Sequence, residues 1–298
     1  MISIIIRSYN EEKHIRTLLK KVFEQDFADR FEVIVVDSGS TDNTLRIIRE
    51  FPVKIVHISS AEFSFGRSLN KGIKSSRGRY LVFISAHCYP MHKKWLGNML
   101  APFRDRKIGL IYGKQRGNEA TKFSEHRIFL KLFPEESVAI QDTPFCNNAN
   151  CAIRRSIWTK IRYDERITGL EDMDWAKKIL EKGYFLSYQS DAGITHIHEE
   201  SWPKIFRRYE REAIARKYIF PKQSLSFPGF VKMFVANSIS DYARALKAGV
   251  FLKNYWQISA FRFMEASGTY KGFKSKRVSQ SLKKRFYYSE NFDVRLKK

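Results

Sequence analysis

Apolar positions along the first third of the chain keep two alternating rhythms. Ile2–Ile6 is almost unbroken apolar and Val33–Val36 is wholly so, as a strand covered on both faces of a parallel sheet requires. Between them Ile15, Leu18, Leu19, Val22 and Phe23 recur at i, i+3, i+4, i+7 and i+8, one face of a helix. Asn10 is read as the N-cap of that helix, with Glu11 and Glu12 in its first turn, where the dipole favours acids. This is a β-α-β unit, and its crossover is expected to be right-handed. Leu45, Ile48 and Phe51 predict a second helix, and Val53–Ile58 a third strand. Phe65, Leu69 and Ile73 form the apolar face of a third helix whose other face carries Arg67, Lys71 and Lys74. Arg79–Ile84 predicts a fourth strand.

Further on, Trp95, Met99 and Leu100 suggest a short helix, Ile108–Tyr112 a strand and Ala149–Ile153 another. The stretch Arg116–Asn147 has a helical pattern around Phe123–Leu132 but also Pro134, Pro144 and mixed charge, and reads as a mobile substrate loop. Arg154-Arg155-Ser156 opens a short helix containing Trp158. A longer helix with Ala176, Ile179 and Leu180 inward follows Glu171. Tyr184–His198 reads as strand, and Ser201 as the cap of a helix bearing Lys204, Arg207, Arg208 and Arg211. Two amphipathic helices, about Phe230–Leu252 and Tyr255–Ala266, precede a basic tail, KGFKSKRVSQSLKKRF. The expected organisation is an α/β domain over residues 1–218 and a basic helical extension over 219–298.

With 43% hydrophobic residues, 24 Phe and 14 Tyr, the 298-residue chain can bury a large core and is not of disordered composition. Three cysteines make no disulfide framework and no CxxC pair, so a reducing, cytosolic setting is expected. No basic-then-apolar leader precedes the first strand, and no apolar run approaches the roughly 20 residues of a membrane span. A formal charge of +23 points to a polyanionic partner. About half of the excess lies in residues 221–298, where sixteen Lys/Arg face four Asp/Glu.

Four polar clusters sit where chemistry is expected. Asp37 ends the second strand and is followed by Ser38-Gly39-Ser40-Thr41-Asp42. Open α/β sheets bind nucleotides at such a place, though Asp37 and Asp42 would equally well cap a turn and a helix. Ser85-Ala86-His87-Cys88-Tyr89-Pro90 closes the fourth strand as a polar loop. Glu171, Asp172 and Asp174 begin a helix, where they suit the dipole or supply a general base. His196 and His198 share one face of an extended segment, as a metal site, a phosphate contact or an unliganded pair would have them.

In this order and at these spacings the pieces resemble a family-2 glycosyltransferase of GT-A fold, over roughly residues 1–218. The residues that carry the likeness are Ser8-Tyr9-Asn10-Glu11, Val35-Val36-Asp37-Ser38-Gly39-Ser40-Thr41-Asp42, and Gly66-Arg67-Ser68-Leu69-Asn70-Lys71-Gly72. They continue with the Leu81–Pro90 strand and loop, Ala152-Ile153-Arg154-Arg155, Glu171-Asp172 and His196-Ile197-His198. The resemblance implies a Rossmann-like, mostly parallel twisted sheet flanked by helices. It also implies transfer of a sugar, with inversion, from a nucleotide sugar to an acceptor hydroxyl.

By that resemblance Ser8 and Glu11 line the nucleoside pocket and Asp37, with Ser38, contacts base or ribose. Arg67 and Asn70 lie near base and phosphates, and Ser85 and Ala86 belong to the donor site. Asp172 is the base that deprotonates the acceptor, while Glu171 orients it or binds the acceptor together with Asp174 and Asn148. The family's Asp-x-Asp, whose last carboxylate holds a divalent cation, is here Ser85-Ala86-His87. A divalent ion, Mn or Mg, is still the expected cofactor, with His87 and His196 or His198 as nitrogen ligands; neutralisation of the diphosphate by Lys and Arg is the alternative. The basic extension implies docking on an anionic membrane surface at its cytoplasmic face, as suits a polyprenyl-linked glycan acceptor in lipopolysaccharide or capsule synthesis. A cap over the acceptor site or a homodimer contact is the other use of those helices.

Two other classes compete. A nucleic-acid-binding protein would use the charge and the aromatic residues, yet no such motif is present and the charge is concentrated outside the α/β core, so nucleic acid is not an expected partner. A nucleotidyltransferase would need a Gly-rich basic loop after the first strand, where Arg7-Ser8-Tyr9-Asn10-Glu11 stands instead. A non-catalytic relative is weighed on Ser85-Ala86-His87, and the intact Glu171-Asp172 pair speaks against it.

Overall fold

A computed structural model describes residues 1–275 and 286–287; residues 276–285 of the expected basic tail lie outside them. The chain forms two compact units. The first takes residues 1–118, 129–166 and 171–197, the second 119–128, 167–170 and 198–298.

In chain order the first unit begins with β1 (Ile2–Ser8), α1 (Ile15–Phe23), β2 (Phe31–Asp37), α2 (Thr44–Ile48), β3 (Lys54–His57), α3 (Phe65–Lys74) and β4 (Tyr80–Ser85). There follow β5 (Cys88–Pro90), α4 (Trp95–Leu100), β6 (Ile108–Arg116), α5 (Phe123–Leu132, shared between the units), β7 (Val138–Gln141), β8 (Asn150–Arg154), α6 (Arg155–Trp158), α7 (Glu171–Leu180) and β9 (Phe185–His196). The strands make one sheet in the order β3-β2-β1-β4-β8-β6-β9-β5, with β7 on β9. The β3-β2-β1-β4 half is parallel throughout. Beyond it the sheet is mixed: β8 runs antiparallel to both β4 and β6, and β6 and β9 are parallel. The sheet is thus parallel throughout only over β3-β2-β1-β4, and less so overall than the sequence suggested.

The unbroken apolar runs are explained by burial on both faces. Ile4, Ile6, Val33 and Val35 pack with α1 residues Ile15, Leu18 and Leu19, while Ile5, Ile34 and Val36 pack with Leu69 and Ile73 of α3. Where β6 and β9 slip register beyond Gly113, the buried Asn150 amide donates to the carbonyls of Lys114 and Ala192 and accepts from the Trp95 indole. Gly113 makes room for this, since a Cβ there would strike both the Asn150 amide and the Ala192 carbonyl.

Several expectations change. Asn10 is not a helix cap: α1 starts at Ile15, and Asn10 takes φ +52° with its side-chain oxygen accepting from the Thr41 N–H. The stretch read as a mobile loop carries β7, hydrogen-bonded antiparallel to β9. Its short apolar run leaves Val138 and Ile140 exposed, so it lacks the buried alternation that marks a strand.

The second unit is built on α8 (Trp202–Ile219), α9 (Phe227–Lys247) and α10 (Phe251–Lys274). The sequence placed α8 in the first domain, with a boundary after 218; the structure puts it with α10. The reason is steric: α10 lays Gly268 and Gly272 against the backbone of α8, where a Cβ would collide with the carbonyls of Phe206 and Glu210. The break between α9 and α10 falls at Ala248–Val250, with Gly249 at φ +68°, and not near Leu252 as the apolar pattern indicated.

Gly272→Val should therefore cost about 2 kcal/mol or more, from overpacking, in urea unfolding monitored by circular dichroism. Gly97→Ala is the control. Its new methyl meets only the Phe27 ring at 3.9 Å inside a helix, and it should be neutral or stabilising by up to about 1 kcal/mol.

Candidate active site

The order β3-β2-β1-β4 places a topological switch between β1 and β4, since the chain winds outward from β1 to β3 and then returns to the other side. Ligands of open α/β sheets bind at the carboxyl ends of such strands. Ser8, Asp37 and Ser85 are the last residues of β1, β2 and β4. Ser8 is buried, and its hydroxyl has no hydrogen-bond partner among the described residues. Its carbonyl accepts from both the N–H and the hydroxyl of Ser38.

The loops after β1 and β2 are laced together. Asn10 N–H donates to Ser40 Oγ, Glu11 N–H to Thr44 Oγ1 at 2.7 Å and Glu12 N–H to Asp42. In return Glu12 accepts from the Asn43 backbone and amide. Asp37 is fully buried, and its carboxylate accepts from the N–H groups of Gly39 and Ser40 and from the Ser40 hydroxyl. Its turn-forming reading is realised, since Asp37 fixes the loop after β2. Asp42 caps α2 through the Thr44 N–H.

On α3, Arg67 and Asn70 converge on one acid. Arg67 Nε and the Asn70 amide donate to the two oxygens of Glu165 at 2.8 and 3.0 Å. Asn70 also donates to the Tyr163 carbonyl and accepts from the Trp158 indole. Asn70 is thus a buried strut that ties residues 158–165 to α3. That network holds the two residues that the sequence placed beside base and phosphates.

The β4 loop gathers histidines. His87 Nδ1 meets Glu11 Oε1 at 2.7 Å, and its ring stacks on His196 with centroids 5.1 Å apart. His196, buried at the end of β9, meets Gln115 Oε1 through Nδ1 at 2.7 Å. Carboxylate and amide oxygens accept only, so each contact places a proton on Nδ1. The ligand nitrogens of the two rings lie within 4.8 Å of each other. Imidazole ligands suit a borderline cation such as Mn or Zn better than Mg. Ala86 is buried behind them, and Ser85 pairs by its N–H with the Ala149 carbonyl. His14, bonded to the Tyr89 hydroxyl at 2.7 Å, lies edge-on to His87.

The Glu171–Asp172 pair opens α7 and is buried. Arg7 of β1 donates to Glu171 Oε1 at 2.9 Å, which ties the acids to the same strand end as Ser8. Asn148 clamps both: its N–H donates to Asp172 Oδ2 at 2.9 Å, its amide to Glu171 at 3.3 Å. Among the described residues no cation pairs with Asp172. Burial first, and the charge of Glu171 second, push its carboxyl up to about 7, against the pull of the Asn148 and Met173 N–H groups and of Arg7. Asp174 stands apart, paired with Lys178 at 2.6 Å, so its expected acceptor role finds no support from this cluster.

His198 belongs to the second unit. Its Nδ1 meets Glu125 at 2.6 Å, and Arg208 bonds both Glu125 and Glu200. Burial raises the Glu125 carboxyl, but Arg208 and His198 outweigh it and hold it at about 2. Arg208, His198 and the two acids make an ion-pair network. Sequence reasoning missed Arg7, His14, Gln115 and Tyr163, which act on site residues from other elements. Only Arg7, a charge beside an apolar run, left a signal.

Comparison with known proteins agrees with this geometry. Glycosyl transferase family 2 matches residues 3–162. The chain is 25% identical over 218 residues to the O-antigen chain rhamnosyltransferase WbaN of Salmonella anatum, covering 70% of this chain and 69% of the relative. It is 36% identical over 239 residues to the dolichyl N-acetyl-alpha-D-glucosaminyl phosphate 3-beta-D-2,3-diacetamido-2,3-dideoxy-beta-D-glucuronosyltransferase of Methanococcus voltae, covering 76% and 71%. The mannosyltransferase PcManGT of Pyrobaculum calidifontis, solved with GDP-Man and Mn2+, superposes with a TM-score of 0.64 at 20% identity, over 93% of this chain and 88% of that one. The fold is accordingly GT-A.

Because the folded-state value of Asp172 lies above its ordinary one, the stability linked to it is fully present below about pH 4 and is lost as pH rises through about 7. Asp172→Asn should flatten that part of the melting-temperature profile, and Glu171→Gln should shift it to lower pH. An unchanged profile in both variants would place the proton elsewhere.

Proposed function

The chain belongs to glycosyl transferase family 2 and is a nucleotide-sugar-dependent glycosyltransferase; from that premise and the site's geometry we propose that Asp172 is its catalytic base and that transfer inverts the anomeric centre. The observation that carries the reading is a buried carboxylate with no cation paired to it among the described residues, held by the Asn148 N–H next to Glu171, which Arg7 ties to the strand end that carries Ser8. A base poised near neutrality accepts a proton from a hydroxyl and is still ionised at working pH. The acceptor oxygen attacks the anomeric carbon as Asp172 takes its proton, and the bond to the diphosphate breaks on the opposite face. The nucleoside diphosphate departs with the bonding electron pair.

Arg7 fixes Glu171, and the charge of Glu171 raises the basicity of Asp172. Ser8, Glu11 and the turn built by Asp37 and Ser38 frame the nucleoside, and Ser85 and Ala86 shape the floor under the diphosphate. His87 and His196 would hold the divalent cation. When bound, such an ion stabilises the charge on the departing diphosphate. PcManGT was solved with Mn2+, which supports the same class of ion here.

Relatives named for O-antigen and dolichyl-phosphate-linked substrates support a surface-glycan acceptor carried on a lipid, with the enzyme working at the cytoplasmic face of a membrane. No helix among the described residues is long and apolar enough to cross one, so that location would be peripheral.

Asp172→Asn should lower kcat by about a hundredfold or more while donor binding is kept. Donor binding is read by thermal shift against UDP-, GDP-, dTDP- and CMP-sugars, each with Mn, with Mg and with EDTA. A donor at a hundred times its Kd stabilises by about 2.7 kcal/mol. Unchanged transfer by Asp172→Asn would reject the assignment. A donor shift that His87→Ala leaves independent of metal would move neutralisation to the basic side chains.

A further inference from the structure

The second unit carries a surface that the chemistry of transfer does not use. On α9, Val231, Val235 and Ile239 recur every four residues and are all exposed. On α10, Leu252, Trp256 and Phe263 share one helical face at i, i+4 and i+11, with Leu252 90% and Trp256 78% exposed. Leu252 and Trp256 lie in the first turns after the Ala248–Val250 break, at the tip of the α9–α10 hairpin. Side chains of this size are not left in water over a whole stripe without a partner.

Charge identifies the partner. Between residues 221 and 275 the acids are Asp241 and Glu265, and both are buried on Arg262, at 2.8 and 2.7 Å. Every other charged side chain of that span is a lysine or arginine, among them the exposed Lys232, Arg244, Lys247 and Lys253. The outer face therefore offers apolar bulk and cations and no carboxylate. A second copy of such a face would bring like charges together, whereas an anionic lipid surface satisfies both features. Trp256 and Tyr255 suit the headgroup boundary, and the flanking lysines can reach phosphates while their stems cover apolar surface.

We infer that the α9–α10 hairpin tip, with Leu252 and Trp256 leading, enters the outer layer of an anionic bilayer while the lysines around it pair with lipid phosphates. This deepens the reading of a lipid-linked acceptor and rests on it for its biological use.

The full chain is tested by sedimentation with vesicles of phosphatidylcholine alone and of equal parts phosphatidylcholine and phosphatidylglycerol. It should bind the anionic vesicles, with affinity falling as salt is raised. Brominated lipid should quench its tryptophan emission, and Trp256→Phe should keep binding while losing most of the quenching. Leu252→Ser with Trp256→Ser, at exposed positions that leave the fold intact, should weaken binding by roughly tenfold or more.

Failure of the wild-type chain to bind, equal affinity for neutral vesicles, or full binding by the double variant would each overturn the assignment. So would a dimer that the double variant dissociates without any vesicle binding. Thermal shift with the nucleotide sugar is measured on the same preparations. Loss of vesicle binding with the donor shift intact rejects this surface and spares the transferase reading; a chain that binds vesicles but no donor does the reverse.

Discussion

Keeping two neighbouring carboxylates out of water is the constraint on which the site depends. Buried acids require donors or cations, and the Glu171–Asp172 pair draws on remote parts of the chain to get them. Arg7 comes from the first strand and Asn148 from just before the eighth. The sheet order that brings β1, β4 and β8 side by side makes this set available. Had β8 been inserted elsewhere, Asn148 could not clamp acids whose partner guanidinium stands on β1.

Distribution of positive charge then sets the buried carboxylates apart. In the second unit Arg208 holds Glu125 and Glu200, and Arg262 holds Asp241 and Glu265. Those pairs serve the architecture. On α7 the guanidinium serves Glu171, and Asp172 is left with two backbone N–H groups against burial and a like charge. The same physics that stabilises one pair leaves the other close to protonation, the condition a base needs.

Much of the sheet was legible because a strand buried on both faces must be apolar at every position, and β1, β2 and β4 are nearly so. The Glu171-Asp172 motif and the β4 loop were legible through chemistry at the ends of elements. What escaped was set by partners far along the chain. Asn10 has the composition of a helix cap, but the second loop claims its side chain and turns its backbone left-handed. Asn70 looks like a ligand residue and is held by Trp158, Tyr163 and Glu165. His198 repeats the spacing of His196, but β9 ends at His196 and nothing in the sequence signals the Glu125 contact that His198 makes. The membership of α8 rests on two glycines of α10 that show no periodicity of their own.

The antiparallel pairing of β4 with β8 couples two functions mechanically. Ile84 lies opposite Asn150, so the chain leading to His87 and the chain arriving from Asn148 leave the sheet at one edge from adjacent strands. A slip of a single residue in this ladder would displace the histidine and the clamp of the acids together, and would turn every side chain of the strand to the other face. Variation within these strands is therefore all-or-nothing. New sugar or acceptor preferences can arise without loss of turnover only where the chain is free of that ladder, as in the segment around β7, whose exposed valine and isoleucine can change without moving either loop.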